Sequence, residues 1–464
     1  MPGRDFDAFT AQHPEYLAAG DVAGLRAREF GRLDATGQVY LDYTGAGLYG
    51  VSQIRRHLAL LEGDVLGNPH SQNPPSRRAT ELSERARRHV LEFFNASPEV
   101  YCVIFTGNAS QALKLVGESY PFGPDGRFLL TFDNHNSVNG IREFARARGA
   151  GITYIPVVPP DLRVDPADVA RELERPGDGG HRIFAYPAQS NFSGVQHGLE
   201  WIGTAQSLGW DVLLDAAAFV PTNRLDLGRW HPDFVVMSFY KMFGYPTGVG
   251  ALLARRPALS KLRRPWFAGG TIAMASVGAD RFTAADGAAA FEDGTVNFTN
   301  LPAIDIGLEF LEQVGLDAIH DRVRALTDWL IEGLLELRHS TGQPLITLYG
   351  PASTEARGGT VTLNLRDGRG EFIDHQVIED RAGERGIAIR AGCFCNPGAG
   401  EMAMGISADE MRSCFIQKSD RLTYDEFRRC IDGKSTGAVR ISLGVASTFG
   451  DVSAVLDFAR SFLE

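Results

Sequence analysis

The sequence predicts an α/β fold: a large, mostly parallel sheet of the seven-stranded type covered by helices, then a smaller α+β C-terminal domain. Two observations predict it. Between residues 101 and 254, short apolar runs alternate with helical patterns, and several runs are almost continuously apolar, as in strands buried on both faces. Near residue 300 the pattern changes to long helices mixed with a few strand-like runs.

The elements follow in order. Residues 1–35 read as a helical arm, and Tyr40-Leu41-Asp42 opens a short strand that ends in Thr44-Gly45-Ala46-Gly47. A helix over 76–94 places Leu82, Ala86, Val90, Phe93 and Phe94 on one face. Sheet strands are expected at 101–106, 127–132, 151–157, 182–187, 211–215, 234–238 and 249–254, with helices at 109–118, 138–148 and 199–208. Beyond residue 300, Ile319, Val323, Leu326, Leu330, Leu334 and Leu337 mark one face of a long helix. Strands are expected there at 347–350, 359–365 and 438–444. The expected division is an arm over 1–35, a large domain over 36–300 and a small domain over 301–464.

Composition narrows the class. Hydrophobic residues make up 44% and charged residues 22%, ordinary values for a globular protein. The 52 glycines in 464 residues exceed the usual share and favour tight turns and backbone lying close to a ligand. A net charge of −11 argues against nucleic-acid binding, and Arg85, Arg87 and Arg88 read as a solvated helix face. No apolar run approaches the ~20 residues that span a bilayer. The start MPGRDFDAFT lacks the apolar core of a signal peptide, so the expectation is a cytoplasmic protein. Cys102, Cys393, Cys395, Cys414 and Cys430 are too scattered for a disulfide scaffold and are expected as thiols.

The chemistry begins with Ser238-Phe239-Tyr240-Lys241, which follows a buried strand and precedes the glycine-rich Gly244-Tyr245-Pro246-Thr247-Gly248-Val249-Gly250. A lone loop lysine is usually a surface residue. Asp215, ending the earlier buried strand DVLLD, changes the weighing, because ligands of open parallel sheets bind at the carboxyl ends of strands. Such a pair is what pyridoxal 5'-phosphate (PLP) needs. A partly desolvated lysine amine forms the Schiff base, and a carboxylate keeps the pyridine nitrogen protonated. Asp215 as a turn or cap residue is the competing reading.

Thr106-Gly107-Asn108-Ala109-Ser110 follows a strand and opens a helix, where free N–H groups suit a phosphate; an ordinary helix cap competes. Ser238 offers that phosphate a hydroxyl. His135 lies after strand 127–132, where it would stack on a cofactor ring or move protons; a solvated loop histidine is equally compatible. In Arg390-Ala391-Gly392-Cys393-Phe394-Cys395-Asn396-Pro397-Gly398, an arginine suited to a carboxylate precedes a candidate nucleophilic thiol. A Cys-x-Cys metal site competes, but no second Cys/His pair at zinc spacing is evident, so no metal is expected; buried structural thiols are the other alternative.

These residues resemble the class V aminotransferase-like branch of fold-type I PLP enzymes. More closely, the chain resembles the N-terminal, cysteine-desulfurase-type domain of molybdenum-cofactor sulfurases. The matching stretches are YLDYTGAG (40–47), NPHSQN (68–73), VIFTGNASQALKLV (103–116), SNFSG (190–194), LLDAAAFVPT (213–222), SFYKMFGYPTGVGALL (238–253), FEDGT (291–295), RAGCFCNPGAG (390–400) and GKSTGAVRISLG (433–444).

The resemblance implies Lys241 as the PLP lysine, Asp215 as the pyridine-nitrogen partner and His135 as the stacking histidine. Gly107, Asn108, Ala109 and Ser238 are expected around the phosphate from the helix start, and the resemblance implies Asn191 and Arg390 on the substrate carboxylate. Cys395 matches the sulfur-accepting nucleophile, so that L-cysteine would yield alanine and a Cys395 persulfide. Thr271, in Gly269-Gly270-Thr271, would reach the phosphate of a partner subunit in a homodimer. The sulfur acceptor is left unnamed.

There are departures. Second-group desulfurases carry histidines where Tyr240, Cys393 and Phe394 stand here, and a glutamine where Ala218 stands. The molybdenum-cofactor sulfurases share much of this pattern and carry a further C-terminal domain beyond the matched stretch. Two other functions are weighed: a PLP lyase, epimerase or hydrolase on another amino acid, and a non-catalytic scaffold that binds a sulfur-carrier protein.

Overall fold

A computed structural model describes residues 6–18, 20–177, 179–417 and 437–464, with 413–417 described by backbone alone. Cys430 and residues 433–436 of the GKSTGAVRISLG stretch lie outside the described residues, as does the side chain of Cys414.

The seven expected strands form one sheet in the order Tyr101–Thr106, Gly250–Arg255, Phe234–Ser238, Asp211–Asp215, Arg182–Pro187, Arg127–Thr131, Gly151–Ile155. Every strand but Gly250–Arg255 points the same way; that one pairs antiparallel with both neighbours. Apolar residues face both sides because both sides are covered. Val103, Phe105, Phe184, Tyr186, Leu214, Val235 and Met237 enter one core, while Ile104, Phe128, Leu130, Ile183, Ala185, Leu213 and Val236 enter the other. The period of two within each strand divides them, and each large apolar side chain so buried contributes about 1.5–3 kcal/mol. Helix Ala109–Ser119 covers the second face through Ala112, Leu113 and Val116, and helix Leu301–Val314 meets the first core through Leu301, Ile304 and Leu308.

The C-terminal part builds a four-stranded antiparallel sheet in the order Ile346–Tyr349, Thr360–Leu365, Ala438–Ser442, Arg390–Gly392. The N-terminal segment packs here. Val39–Tyr40 pairs in parallel with Ile387–Ala388, and Asp42 bridges to Ser442. Phe9, in the helical arm, is buried against the rings of Trp329 and Phe449.

Several element boundaries shift by one or two residues, and three departures have a physical cause. The helix expected over 138–148 divides at Gly140 into Asn136–Asn139 and Ile141–Ala147, glycine being a poor interior helix residue. The first piece starts early because the His135 side chain caps it. The strand expected over 151–157 stops at Ile155, since Pro156 has no N–H for the ladder; Val157–Val158 pairs instead with Arg163–Val164. Leu337 is buried but lies beyond the helix Leu316–Leu335. Among the described residues no helix is long and apolar enough to cross a membrane.

Candidate active site

Parallel strands deliver their carboxyl ends to one edge. Here the segments after Thr106, Thr131, Pro187, Asp215 and Ser238 converge on a cavity of about 390 Å³, whose lining includes Gly107, Asn108, Ala109, His135, Asn191, Asp215, Ser238 and Lys241. The lysine stands on the short helix Phe239–Phe243, which ends at Gly244 in the left-handed region, φ 77°. A Cβ at Gly244 would also lie 2.2 Å from the backbone nitrogen of Tyr49, so glycine is required twice over. The loop Thr44–Gly47 is pressed onto the same helix. Gly47 N donates to Tyr240 O at 3.0 Å, and a Cβ at Gly47 would lie 2.7 Å from Lys241 O.

Burial lowers the pKa of the Lys241 amine, with Asp215 opposing and Arg440 reinforcing the shift. Asp215 is buried and accepts the Ala217 N–H at Oδ1, 3.0 Å. The His135 pKa is also lowered by burial, Asp215 again opposing. Its Nδ1 accepts the Ser137 N–H at 3.1 Å, which leaves the proton of the neutral ring on Nε2.

Opposite the lysine lies the N-terminus of helix Ala109–Ser119. Asn108 caps it by accepting the Gln111 N–H, and Ala109 N donates to Ser238 Oγ at 2.9 Å, so the serine keeps its own proton to donate. Gly250 begins the antiparallel strand beside this turn, and a Cβ there would lie 2.6 Å from the Asn108 carbonyl carbon. Cradle and lysine are thus locked together by backbone packing.

Cys395 and Cys393 are exposed free thiols, and Cys102 is buried. Phe394 and Cys395 both have left-handed backbones, φ 55° and 54°, and Asn396 N donates to Cys393 O at 3.0 Å, closing the turn. Each such non-glycine residue costs about 1 kcal/mol or more, so the surroundings must hold the turn. Phe394 is buried between the Phe192 ring and the Arg440 guanidinium. A thiolate at Cys395 opposes the burial-driven lowering of the Lys241 and Arg440 pKa values.

The two guanidiniums of this region occupy different settings. Arg390 is exposed and forms a bidentate bridge with Asp42, Nη2 to Oδ2 at 2.6 Å. Arg440, in strand Ala438–Ser442, is buried; it donates to Asp42 Oδ1 and to the Asn191 carbonyl, each at 3.0 Å. Among the described residues its Nε has no hydrogen-bond partner. Burial pulls its pKa down, Asp42 opposing. Sequence reasoning named Arg390 and passed over Arg440, although a charge inside the apolar run AVRISLG was an available signal. The Asn191 amide is engaged with the cysteine loop: Nδ2 donates to Phe394 O at 2.8 Å and Oδ1 accepts from Asn396 Nδ2 at 2.9 Å. Thr271 is not among the cavity-lining residues, and its hydroxyl bonds locally to Ala268. Among the described residues no cluster of three or more His, Cys, Asp or Glu side chains is arranged to hold a metal.

Known proteins resemble this chain in sequence and in fold. The chain is 40% identical over 461 residues to the molybdenum cofactor sulfurase of Bos taurus, covering 95% of this chain and 51% of that protein. It is 36% identical over 496 residues to the molybdenum cofactor sulfurase of Arabidopsis thaliana, covering 98% and 60%. The chain therefore spans little more than half the length of these curated relatives. Its fold is that of an apo cysteine desulfurase from Thermococcus onnurineus NA1, with TM-score 0.77, 22% identity, and 95% and 98% of the two chains covered. The cysteine desulfurase CsdA of Escherichia coli matches with TM-score 0.74 and 20% identity, covering 96% and 100%. Residues 39–455 match aminotransferase class V, from the first sheet-forming strand to the last helix, and the chain belongs to that family.

Proposed function

We propose that this chain binds PLP on Lys241 and transfers sulfur from L-cysteine to Cys395, leaving alanine and a Cys395 persulfide. The observation that carries the reading is a desolvated amine sharing one cavity with a strand-end carboxylate and a helix N-terminus, with a free thiol within electrostatic reach. The residues fit the cofactor. Asp215 takes a single N–H bond among the described residues, which leaves carboxylate capacity for a pyridinium. The cradle at Gly107–Ser110 is kept open by small residues, and Ser238 Oγ retains a proton for phosphate. A structure of the cystine C–S lyase C-DES, a protein of the same fold, with glycine covalently linked to its PLP cofactor supports the choice.

When bound, PLP supplies an aldehyde for the amine and an electron-withdrawing ring beside the substrate's α-carbon. Asp215 holds the ring-nitrogen proton in place. His135, with Nδ1 committed to the backbone, presents its imidazole as a neutral face. Arg440 and Asn191 orient the substrate carboxylate, and Arg390 supports them through Asp42. Lys241 Nζ moves the proton at the substrate α-carbon, for which its lowered basicity suits it. Cys395 Sγ, as thiolate, bonds to the substrate sulfur as the substrate's C–S bond breaks, and the protonated carbon fragment leaves as alanine.

The assembly belongs to the same reading. Trp266, Phe267, Met274, Val277 and Phe282 are exposed on the segment that carries Thr271, which suits a homodimer in which Thr271 approaches the partner's phosphate. A cytoplasmic setting keeps the thiols reduced. The relatives' name nominates the molybdenum cofactor as sulfur acceptor.

The test uses the purified chain with added PLP. Cys395→Ser retains the visible absorbance of lysine-bound cofactor but forms no alanine from cysteine, whereas the parent forms alanine and gains one sulfur on Cys395 by mass spectrometry. Undiminished alanine formation by the variant would overturn the nucleophile, and a protein that stays colourless with PLP would overturn the whole reading.

A further inference from the structure

Cys395 sits on a turn that its own sequence does not favour, since two consecutive non-glycine residues, Phe394 and Cys395, hold left-handed backbones. Hydrogen bonds from outside the turn converge on it. Asn136 N donates to Cys395 O at 2.7 Å, and Asn191 Nδ2 donates to Phe394 O at 2.8 Å. Asn396 supplies the remainder. It is fully buried, and its Nδ2 donates both to Asp133 O at 2.7 Å and to Asn191 Oδ1 at 2.9 Å, while its Oδ1 accepts the Ala399 N–H at 3.2 Å. Asp133 is itself fixed by its buried pair with His197, at 2.8 Å, two residues before His135.

From this geometry we infer that Asn396 is a positioning residue: with Asn191 and Asn136 it clasps the cysteine turn against the loop bearing His135, so that Cys395 Sγ reaches the substrate sulfur without a loop rearrangement. The inference rests on the sulfur-transfer reading for its catalytic consequence. The clasp has one further property. The Asn191 amide that serves the turn keeps a second N–H, so one side chain can hold the substrate carboxylate and the Phe394 carbonyl together. Substrate recognition and thiol placement then share a nitrogen.

A plain helix-cap role is the alternative, because Asn396 also caps helix Pro397–Met404. Asn396→Ser separates the two: serine caps as well as asparagine but has no amide to reach Asp133 O or Asn191 Oδ1. Asn136→Pro is the second variant. It deletes only the N–H that holds Cys395 O, at a first helical position that accepts proline, after a residue with ψ 150° that tolerates one.

In the PLP-loaded full chain, kcat is expected to fall in both variants, toward about 10²-fold for a displacement near 1 Å, with KM for cysteine unchanged in Asn136→Pro, which leaves Asn191 untouched. In the PLP-free full chain, amide exchange across residues 393–396 and the iodoacetamide alkylation rate of Cys395 should both rise above the parent's. Wild-type kcat, exchange and alkylation in Asn396→Ser would reduce Asn396 to a helix cap and overturn the clasp. If Asn396→Ser does not fold, Asn136→Pro decides by the same readings. If the parent chain itself forms no alanine, the function fails, while exchange and alkylation still judge the clasp.

Discussion

Asp42 lies between two arginines, and its replacement gives a sharp energetic test. In Asp42→Asn the carboxylate loses its charge but keeps its shape. Arg440 is 3% exposed, Asp42 12% and Arg390 49%, so the loss falls almost wholly on Arg440. A buried cation stripped of its counter-ion costs about 3–5 kcal/mol. The new amide oxygen still accepts one bond, returning about 1 kcal/mol. Arg390 rehydrates and adds at most about 1 kcal/mol. The expected net loss is about 2–5 kcal/mol, a large part of the ~5–15 kcal/mol by which folded domains are stable. The assay is urea denaturation of the PLP-free chain, comparing midpoints at unchanged slope. Arg390→Ala serves as the control and should cost no more than about 1 kcal/mol. The double variant Asp42→Asn with Arg440→Met should recover most of the loss, since removing both charges leaves none uncompensated. If Asp42→Asn costs no more than Arg390→Ala, or the double variant recovers nothing, the buried-cation reasoning is refuted.

Three more outcomes are expected. Gly47→Ala places a methyl 2.7 Å from Lys241 O and 3.1 Å from Tyr240 O, where only backbone is available to yield, so stability should fall by about 1–3 kcal/mol and PLP affinity, read by absorbance titration, should weaken with it. Arg440→Lys keeps a charge but loses the planar fork, so KM for cysteine should rise about tenfold or more with the cofactor band unchanged; an unaltered KM would remove Arg440 from carboxylate binding. His135 has its folded pKa lowered below 6.5 by burial, so on acidification the unfolded chain takes up that proton first. Its contribution therefore disfavours folding progressively as pH falls from about 6.5 toward the folded value, then levels off. Denaturation of His135→Gln at several pH values should show a shallower acid loss than the parent, and identical slopes would contradict the assignment.

The sheet was legible because strands buried on both faces leave unbroken apolar runs such as YCVIFT and FVVMS, which need no knowledge of neighbours. The meeting of Asp215, His135 and Lys241 at one cavity was legible for a related reason: each ends or follows such a run, and parallel strands bring their ends to one edge. Arg440 and Asn396 were not legible. Their roles arise from pairing with Asp42, Asp133 and Asn191, far away in sequence, and nothing local to Asn396 distinguishes a clasp from a helix cap. The resemblance gave Arg390 the substrate carboxylate; the fold pairs it with Asp42 at the surface and buries Arg440 on the same aspartate. The break at Gly140 escaped notice because the apolar period runs through it, while the backbone follows the His135 cap.

The pairing of Val39–Tyr40 with Ile387–Ala388, and of Asp42 with Arg440 across 398 residues, has a consequence for how the protein is made. At roughly 5–20 residues per second, a ribosome needs roughly 20–80 s to progress from the first partner to the second. For most of that interval the nascent chain carries an unmated early strand and an aspartate with neither of its arginines. The lysine-bearing edge emerges well before the last side of its chamber. Completion of the chamber thus waits for Arg440, long after its lysine-bearing edge has been made.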